Sequence, residues 1–278
     1  MKPYRKRKEI SILQTAVLLV LVLSALYPFF LLLITSLKTK GNYLDDPVSL
    51  PRVLTLANYI NVYKTAKISQ AMMNSAILTI FSVFGQLAFG SIAAYALAKM
   101  RFKNRTLLSL AFLFPLFLPI QSVIIPLYIF YKYLKLLNTL GGLIIIYIAS
   151  GLPLAILMFS NFMLSVPIEI SEAAYIDGVS HFGVYSRIIL PLLKPAVATV
   201  IIISSLTIWN DFYLPMIMLT DVNLATLPLK AYMFAGQYRT DWTKICTCIV
   251  YLIIPVTIVY FCLQRQIIDG ITKGAVKG

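Results

Sequence analysis

The sequence predicts an all-α polytopic membrane protein with six transmembrane helices, and three observations predict it. Of its 278 residues, 60% are hydrophobic and only 12% charged, with a mean hydropathy of +0.86; a soluble domain carries roughly twice that charge. Six apolar stretches, near 12–34, 72–97, 107–131, 141–163, 196–219 and 246–265, reach the roughly 20 residues a helix needs to cross a bilayer. None of them alternates in polarity as the strands of a membrane barrel do.

The net charge of +14 is a topology signal rather than a nucleic-acid groove, because the basic residues cluster beside the apolar stretches. Lys2, Arg5, Lys6, Arg7 and Lys8 precede the first, and Lys99, Arg101, Lys103 and Arg105 follow the second. Both clusters are therefore expected in the cytoplasm. Six crossings then put both termini inside, the loops 38–71, 132–140 and 220–245 outside, and the loop 164–195 inside. The N-terminal run mimics a signal peptide, but its apolar part extends to Ile34 and has no small-residue cleavage site before Pro28. It is expected to stay as the first transmembrane helix.

The first outside loop has turn chemistry at Gly41-Asn42 and Asp45-Asp46-Pro47, which suits a linker, and then a polar, Tyr-bearing stretch from Ala57 to Lys67 that suits a short interfacial helix. Ser82, Gly85, Gly90 and Ala94 in the second stretch either mark a close helix contact or reflect how common small residues are in membranes. Pro115, Pro119 and Pro126 kink the third stretch, as a moving core requires or as mere shape. Cys246, Cys248 and Cys262 read as small apolar fillers, and a single histidine, His181, excludes a His-based metal cluster.

The loop 164–195 is a polar, helix-prone island. Pro167 suits a first helical turn, Glu169 complements the positive pole of the helix, and Gly178 supplies a left-handed exit. Ile170, Ala173, Ala174 and Asp177 follow helical spacing and are expected to share a face, with Ala173-Ala174 a shallow surface for a partner. Ser180 is placed to cap a second helix running to Leu190 and ended by Pro191 and Pro195. Glu169 and Glu172 are either a solvated acidic face or a pair of like charges that a cationic pocket in a partner would relieve.

These residues resemble the cytoplasmic loop of ATP-binding-cassette (ABC) importer permeases: Glu172-Ala173-Ala174, three residues, Gly178, nine residues, then Ile188-x-Leu190-Pro191, with Ile176-Asp177-Gly178 inside. Leu54-Thr55-Leu56-Ala57-Asn58-Tyr59, Asn74-Ser75, Trp209-Asn210-Asp211-Phe212 with Pro215, and the ending Asp269-Gly270-Ile271-Thr272-Lys273-Gly274-Ala275-Val276-Lys277-Gly278 are similar to MalG-type carbohydrate permeases. Asp269 and Lys273 depart from the small or hydrophobic residues usual there.

The resemblance implies a type I ABC importer transmembrane domain with a cytoplasmic coupling helix at 169–178, where Glu169, Glu172, Ala173, Ala174, Asp177 and Gly178 meet the ATPase. Glu172 is then the salt-bridging residue and Gly178 sets the helix angle. The implied plan is a cytoplasmic basic tail (1–11), a first transmembrane helix (12–34), an external linker and interfacial helix (35–71), a five-helix type-1 core (72–265) and a cytoplasmic tail (266–278). The implied partners are an ABC ATPase dimer that hydrolyses ATP, a second, MalF-like permease, an extracytoplasmic solute-binding protein, a sugar and membrane lipid. The implied place is a bacterial cytoplasmic membrane.

Asp211 is the one carboxylate well within an apolar stretch, and an intramembrane acid is a functional hypothesis by default. Ser204, Thr207 and Asp211 are spaced as one helical stripe; with Trp209 and Asn210 nearby it offers hydrogen bonds and a ring face to a sugar. Equally, Asp211 lies about 22 Å along the fifth helix, where Asn210 and Asp211 would break that helix or bond a neighbour.

No G-x-x-x-x-G-K-[ST] loop occurs, so this chain does not bind ATP in that way. No nucleophile–base set is evident, which argues against an intramembrane hydrolase and against any enzyme. A self-sufficient, ion-driven secondary transporter is the alternative; it would call for several intramembrane ionisable groups, and there is one.

Overall fold

The computed structural model describes residues 12–100, 102–235 and 240–275, with side chains left out at Ile12, Leu13, Tyr260 and from Cys262 on. The basic tail 1–11, Arg101 and Val276-Lys277-Gly278 lie outside the described residues, as do the side chains of Asp269 and Lys273. Every regular element described is helical. In chain order these are α1 (Ile12–Ser36), α2 (Lys40–Asp45), α3 (Ala57–Thr65), α4 (Ile68–Lys99), α5 (Arg105–Leu113), α6 (Ile124–Tyr133) and α7 (Leu140–Leu164). Then follow α8 (Ile168–Ile176), α9 (His181–Val184), α10 (Leu190–Leu192), α11 (Lys194–Trp209), α12 (Tyr213–Met218), α13 (Leu227–Tyr232) and α14 (Trp242–Ala275).

Among the described residues, four helices are long and apolar enough to cross a membrane: α1, α4, α7 and α14. The third and fifth expected spans are broken instead. Arg105–Phe117 meets Ile120–Tyr133 at 95°, and His181–Leu192 meets Lys194–Trp209 at 72°. Counting each bent pair as one span gives six crossings, the number expected, but the fifth then runs from His181 to Trp209, beginning inside the loop 164–195 and stopping short of 219. The prolines of the third span therefore break it rather than kink it. Leu118 and Pro119 are extended, and a 3₁₀ turn lies on either side, at Phe114–Phe117 and Ile120–Val123.

The chain packs as two compact units. One takes the described residues up to Ala66 together with Ala231–Leu252. Its first loop is more than a linker, because it is built around Lys38. That side chain is fully buried, and its ammonium donates to the carbonyls of Asp46 and Pro47 at 2.9 Å and reaches the Ser49 hydroxyl at 3.5 Å. A buried charge is tolerable only with such partners. The Asn58 amide ties α3 to the carbonyls of Ser36 and Lys38, at 2.9 and 2.7 Å. α2, absent from the sequence expectation, starts at Thr39, whose hydroxyl accepts from the Asn42 N–H. A short helix forms where one was expected, as α3, and its Tyr59 and Tyr63 pack on the ring of Tyr251.

The other unit takes Lys67–Lys230 and the described residues from Ile253 on. Its axis is the pair α4 and α7, and the small residues of α4 do mark a close contact. A Cβ at Gly90 would stand 2.8 Å from that of Ala155, and one at Gly85 would collide with Ile148. In lipid, where apolar surface has no water to escape, such close approach is what holds helices together. Asn74 and Ser75 pin the loop before α13: the Asn74 amide donates to the carbonyls of Asn223 and Ala225, and the Ser75 hydroxyl accepts from the Leu227 N–H.

This second unit has two buried clusters. One, including Tyr95, Phe159, Met163, Ala174, Val184 and Ile189, lies beneath the α8–α9 loop. The other, including Leu78, Ile146, Tyr147, Ile208 and Leu214, surrounds the end of α11. Each cluster positions one candidate site.

Candidate functional site

The loop 164–195 folds from a chain of local signals. Pro167, extended at ψ 139°, precedes α8, and Glu169 lies in the first helical turn. α8 closes in a Schellman motif. The Gly178 N–H donates to the Tyr175 carbonyl, and the Val179 N–H to the Ala174 carbonyl, both at 3.0 Å. Gly178 holds φ +78°, the left-handed exit expected of it. The Ser180 hydroxyl then accepts from the Gly183 N–H at 3.2 Å and caps α9, as its position predicts.

Two expectations for this loop are corrected. The helix does not end at Pro191. It passes through a π turn at Tyr185–Ile189, in which the Leu190 N–H reaches the Tyr185 carbonyl, and runs on to Leu192. Pro191 falls in the first turn after that widening, where its ring and missing N–H are tolerated. Nor does Ala174 lie open beside Ile170, Ala173 and Asp177: it is buried and they are exposed. Consecutive helical residues diverge by about 100°, so Ser171 and Ala174 turn into the cluster while Ala173 stays outside. The outer face of α8 comprises Glu169, Glu172, Ala173 and Ile176, with Asp177 beside it.

Sequence reasoning missed the apolar part of that surface. Ile176 is 85% exposed, and Phe182, just across the Gly178 turn, is 73% exposed. An isoleucine and a phenylalanine this bare, among charged residues in a polar loop, were the available signal. It also missed three polar ties to α4. Lys99 Nζ donates to the Val166 carbonyl at 2.7 Å, the hydroxyls of Tyr95 and Tyr175 share a hydrogen bond of 3.0 Å, and those of Ser91 and Tyr185 one of 2.8 Å.

The second candidate region is the end of α11. The fifth span does not continue to 219; α11 stops at Trp209 and α12 restarts at Tyr213. Asp211 lies in the break, with one carboxylate oxygen accepting from the Tyr213 N–H and the other from the Tyr147 hydroxyl, both at 2.8 Å. The Gln86 amide donates to the Tyr147 carbonyl at 2.7 Å, so α4, α7 and the break form one polar chain. Asn210 folds its side-chain amide back onto the Leu206 carbonyl.

The expected stripe is not one surface. Ser204 is buried, whereas Thr207 is exposed and bonds the Ile203 carbonyl. Trp209 lines a groove of about 280 Å³ with Thr79, Ser205, Leu206, Pro255 and Val259, a lining that leaves out Ser204, Thr207, Asn210 and Asp211. The two structural alternatives for Asp211, breaking the helix and bonding a neighbour, are both realised. Among the described residues, no three His, Cys, Asp or Glu side chains gather as a metal site.

Among the described residues, four long apolar helices and two bent pairs, with an exposed acidic and apolar helix on a polar loop, define a multi-pass membrane protein. Comparison with known proteins gives the family. Residues 86–273 match the binding-protein-dependent transport system inner membrane component, and the chain belongs to that family. It is 36% identical over 92% of its length, and 94% of the relative's, to the probable starch degradation products transport system permease protein AmyC of Thermoanaerobacterium thermosulfurigenes. It is 32% identical over 95% of each chain to the arabinooligosaccharides transport system permease protein AraQ of Bacillus subtilis. Its fold is similar to the crystal structure of a bacterial ABC transporter involved in the import of alginate, with TM-score 0.79 at 24% identity, covering 95% of this chain and 99% of that one. The chain is thus an importer permease, a transport subunit rather than an enzyme. Membership in a binding-protein-dependent family sets aside the self-sufficient secondary transporter.

Proposed function

We propose that this chain is one of two permeases lining the pathway of a carbohydrate importer in a bacterial cytoplasmic membrane, with both termini in the cytoplasm. A solute-binding protein delivers a sugar or oligosaccharide from outside, and an ABC ATPase dimer drives the cycle; the permease itself carries no cofactor. The carbohydrate assignment is supported by relatives named for starch products and arabinooligosaccharides.

The observation that carries the coupling role is the outer face of α8. Glu169, Glu172 and Ala173 flank Ile176, with Phe182 close by, on a helix whose ends are both fixed. Apolar anchors rimmed by carboxylates suit a groove with basic edges: burial of Ile176 and Phe182 supplies affinity, and Glu172 supplies orientation. Asp177 and Gly178 fix the exit, and Ala174 seats the helix from within. ATP-driven closure of the ATPases displaces α8 and shifts the permeases from inward- to outward-facing. For the pathway, the exposed Thr207 and Asn210 offer polar edges to substrate and Trp209 offers a ring face in its own groove; Asp211 holds the break that positions them, and Ser204 lies buried on α11.

The test is gentle purification of the tagged chain with identification of what accompanies it, followed by uptake in vesicles. Recovery of an ATPase, a second permease and a binding protein that retains a sugar supports the reading. Transport by this chain alone overturns it.

A further inference from the structure

Ser91, Tyr95 and Lys99 are spaced four apart, so they form one stripe along the last turns of α4, each about 6 Å beyond the one before. Each holds a different part of the α8 loop. Lys99 takes the Val166 carbonyl just before α8, Tyr95 takes Tyr175 on α8, and Ser91 takes Tyr185 at the start of the π turn beyond it. The Tyr175 hydroxyl continues to Nδ1 of His181 at 2.8 Å, which ties α8 to the start of α9 as well. Ser91 has a single hydroxyl proton, and its oxygen lies 2.6 Å from the Leu87 carbonyl, so Tyr185 is the donor in the pair they share.

The apolar packing beneath the loop does not fix its register. Ala174, Val184 and Ile189 rest against Ala94, Leu97 and Phe159, and such contacts are non-directional. Hydrogen bonds weaken steeply with distance and angle. Three of them, placed before, on and after α8, resist sliding and rotation together. α4 in turn is locked to α7 by the close approach at Gly85 and Gly90. A displacement of α8 therefore enters the α4–α7 pair directly instead of being absorbed by the loop.

We propose that Ser91, Tyr95 and Lys99 are positioning residues, a three-rung clamp that makes α8 and the cytoplasmic end of α4 move as one body and so sets how much transport each ATP yields. The assignment rests on the reading of α8 as the helix that meets the ATPase. Tyr175 and Tyr185 are the loop's half of the clamp.

The experiment uses the complete transporter in proteoliposomes and reads substrate imported per ATP hydrolysed. Tyr95→Phe and Tyr175→Phe each remove one hydroxyl and keep the ring. Each lowers the ratio by about 3- to 10-fold, the equivalent of one hydrogen bond, while complex yield and ATP turnover stay near wild type. The double variant is no worse than Tyr175→Phe, which already removes the bond to Tyr95 along with the tie to His181. Lys99→Met lowers the ratio and Lys99→Arg, which keeps a donor, restores it; Ser91→Ala reports on the third rung should a tyrosine variant fail to assemble. Unchanged ratios in these variants, beside a Glu172→Lys transporter that is uncoupled, overturn the clamp alone. Normal coupling in Glu172→Lys overturns the α8 reading and the clamp with it.

Discussion

The α8 loop and the break at Asp211 are both irregular, polar and set against a buried cluster, yet they are built in opposite ways. In the loop, the groups that shape the backbone lie within a few residues of what they hold: Ser180 caps Gly183, and Gly178 closes α8. Its outer face is bare. At the break, Asp211 is held from 64 residues away by Tyr147, and both carboxylate oxygens are occupied. The loop's turns are shaped from within while α4 holds their register, and its outer face is open; the break is held by its neighbours and closed. On the proposed coupling role, surface substitutions on the loop should cost little stability but much transport, whereas substitutions at the break should cost stability first.

Substitutions on the two sides should separate accordingly. The largest stability loss is expected for Asp211→Ala, which leaves the Tyr147 hydroxyl and the Tyr213 N–H without their acceptor. Hydrogen bonds to a carboxylate contribute about 1.5–3 kcal/mol each, so with two of them a loss of about 3–6 kcal/mol should appear in thermal unfolding in detergent. Asp211→Asn, which keeps an acceptor, should lose less. Equal, small shifts in both would mean that the break is held by packing alone. Gly90→Leu should follow, at about 1–3 kcal/mol, because the added side chain meets Ala155 in a contact that cannot give.

On the loop, Gly178→Val forces a β-branched residue to φ +78° and should cost about 1–2 kcal/mol. Its effect on uptake should be far larger than that cost, since it turns α8 away from its partner; uptake at normal membrane levels measures it. Near-normal uptake would blur the contrast between the regions. Ser180→Ala should have the smallest effect, about 1 kcal/mol from loss of one cap, read as a slight fall in melting temperature with near-normal transport.

The same contrast explains what was legible in the sequence. The six apolar stretches, the exit at Gly178 and the cap at Ser180 were readable because each depends on residues close in the chain. The inward turn of Ala174 was not, since spacing alone does not say on which side of α8 the core lies. The break at 210–212 was one of two open readings, and its partner Tyr147 could not be found without the packing of α7. The loop around Lys38 was hidden for the same reason: a lysine in a turn-rich stretch gives no sign that it will be buried among carbonyls. The stripe at Ser91, Tyr95 and Lys99 went unread, because its partners lie 67 to 94 residues further along the chain.

The central claim, that the outer face of α8 is where the driving subunit docks, is tested most directly by cross-linking in native membranes. A cysteine at Ala173 or Ile176, with a short bifunctional reagent, should capture the ATPase, while a cysteine at the equally bare Leu50, 67% exposed in the first loop, should not. Capture from Leu50, or none from Ala173 and Ile176 in membranes that import substrate, would contradict the account.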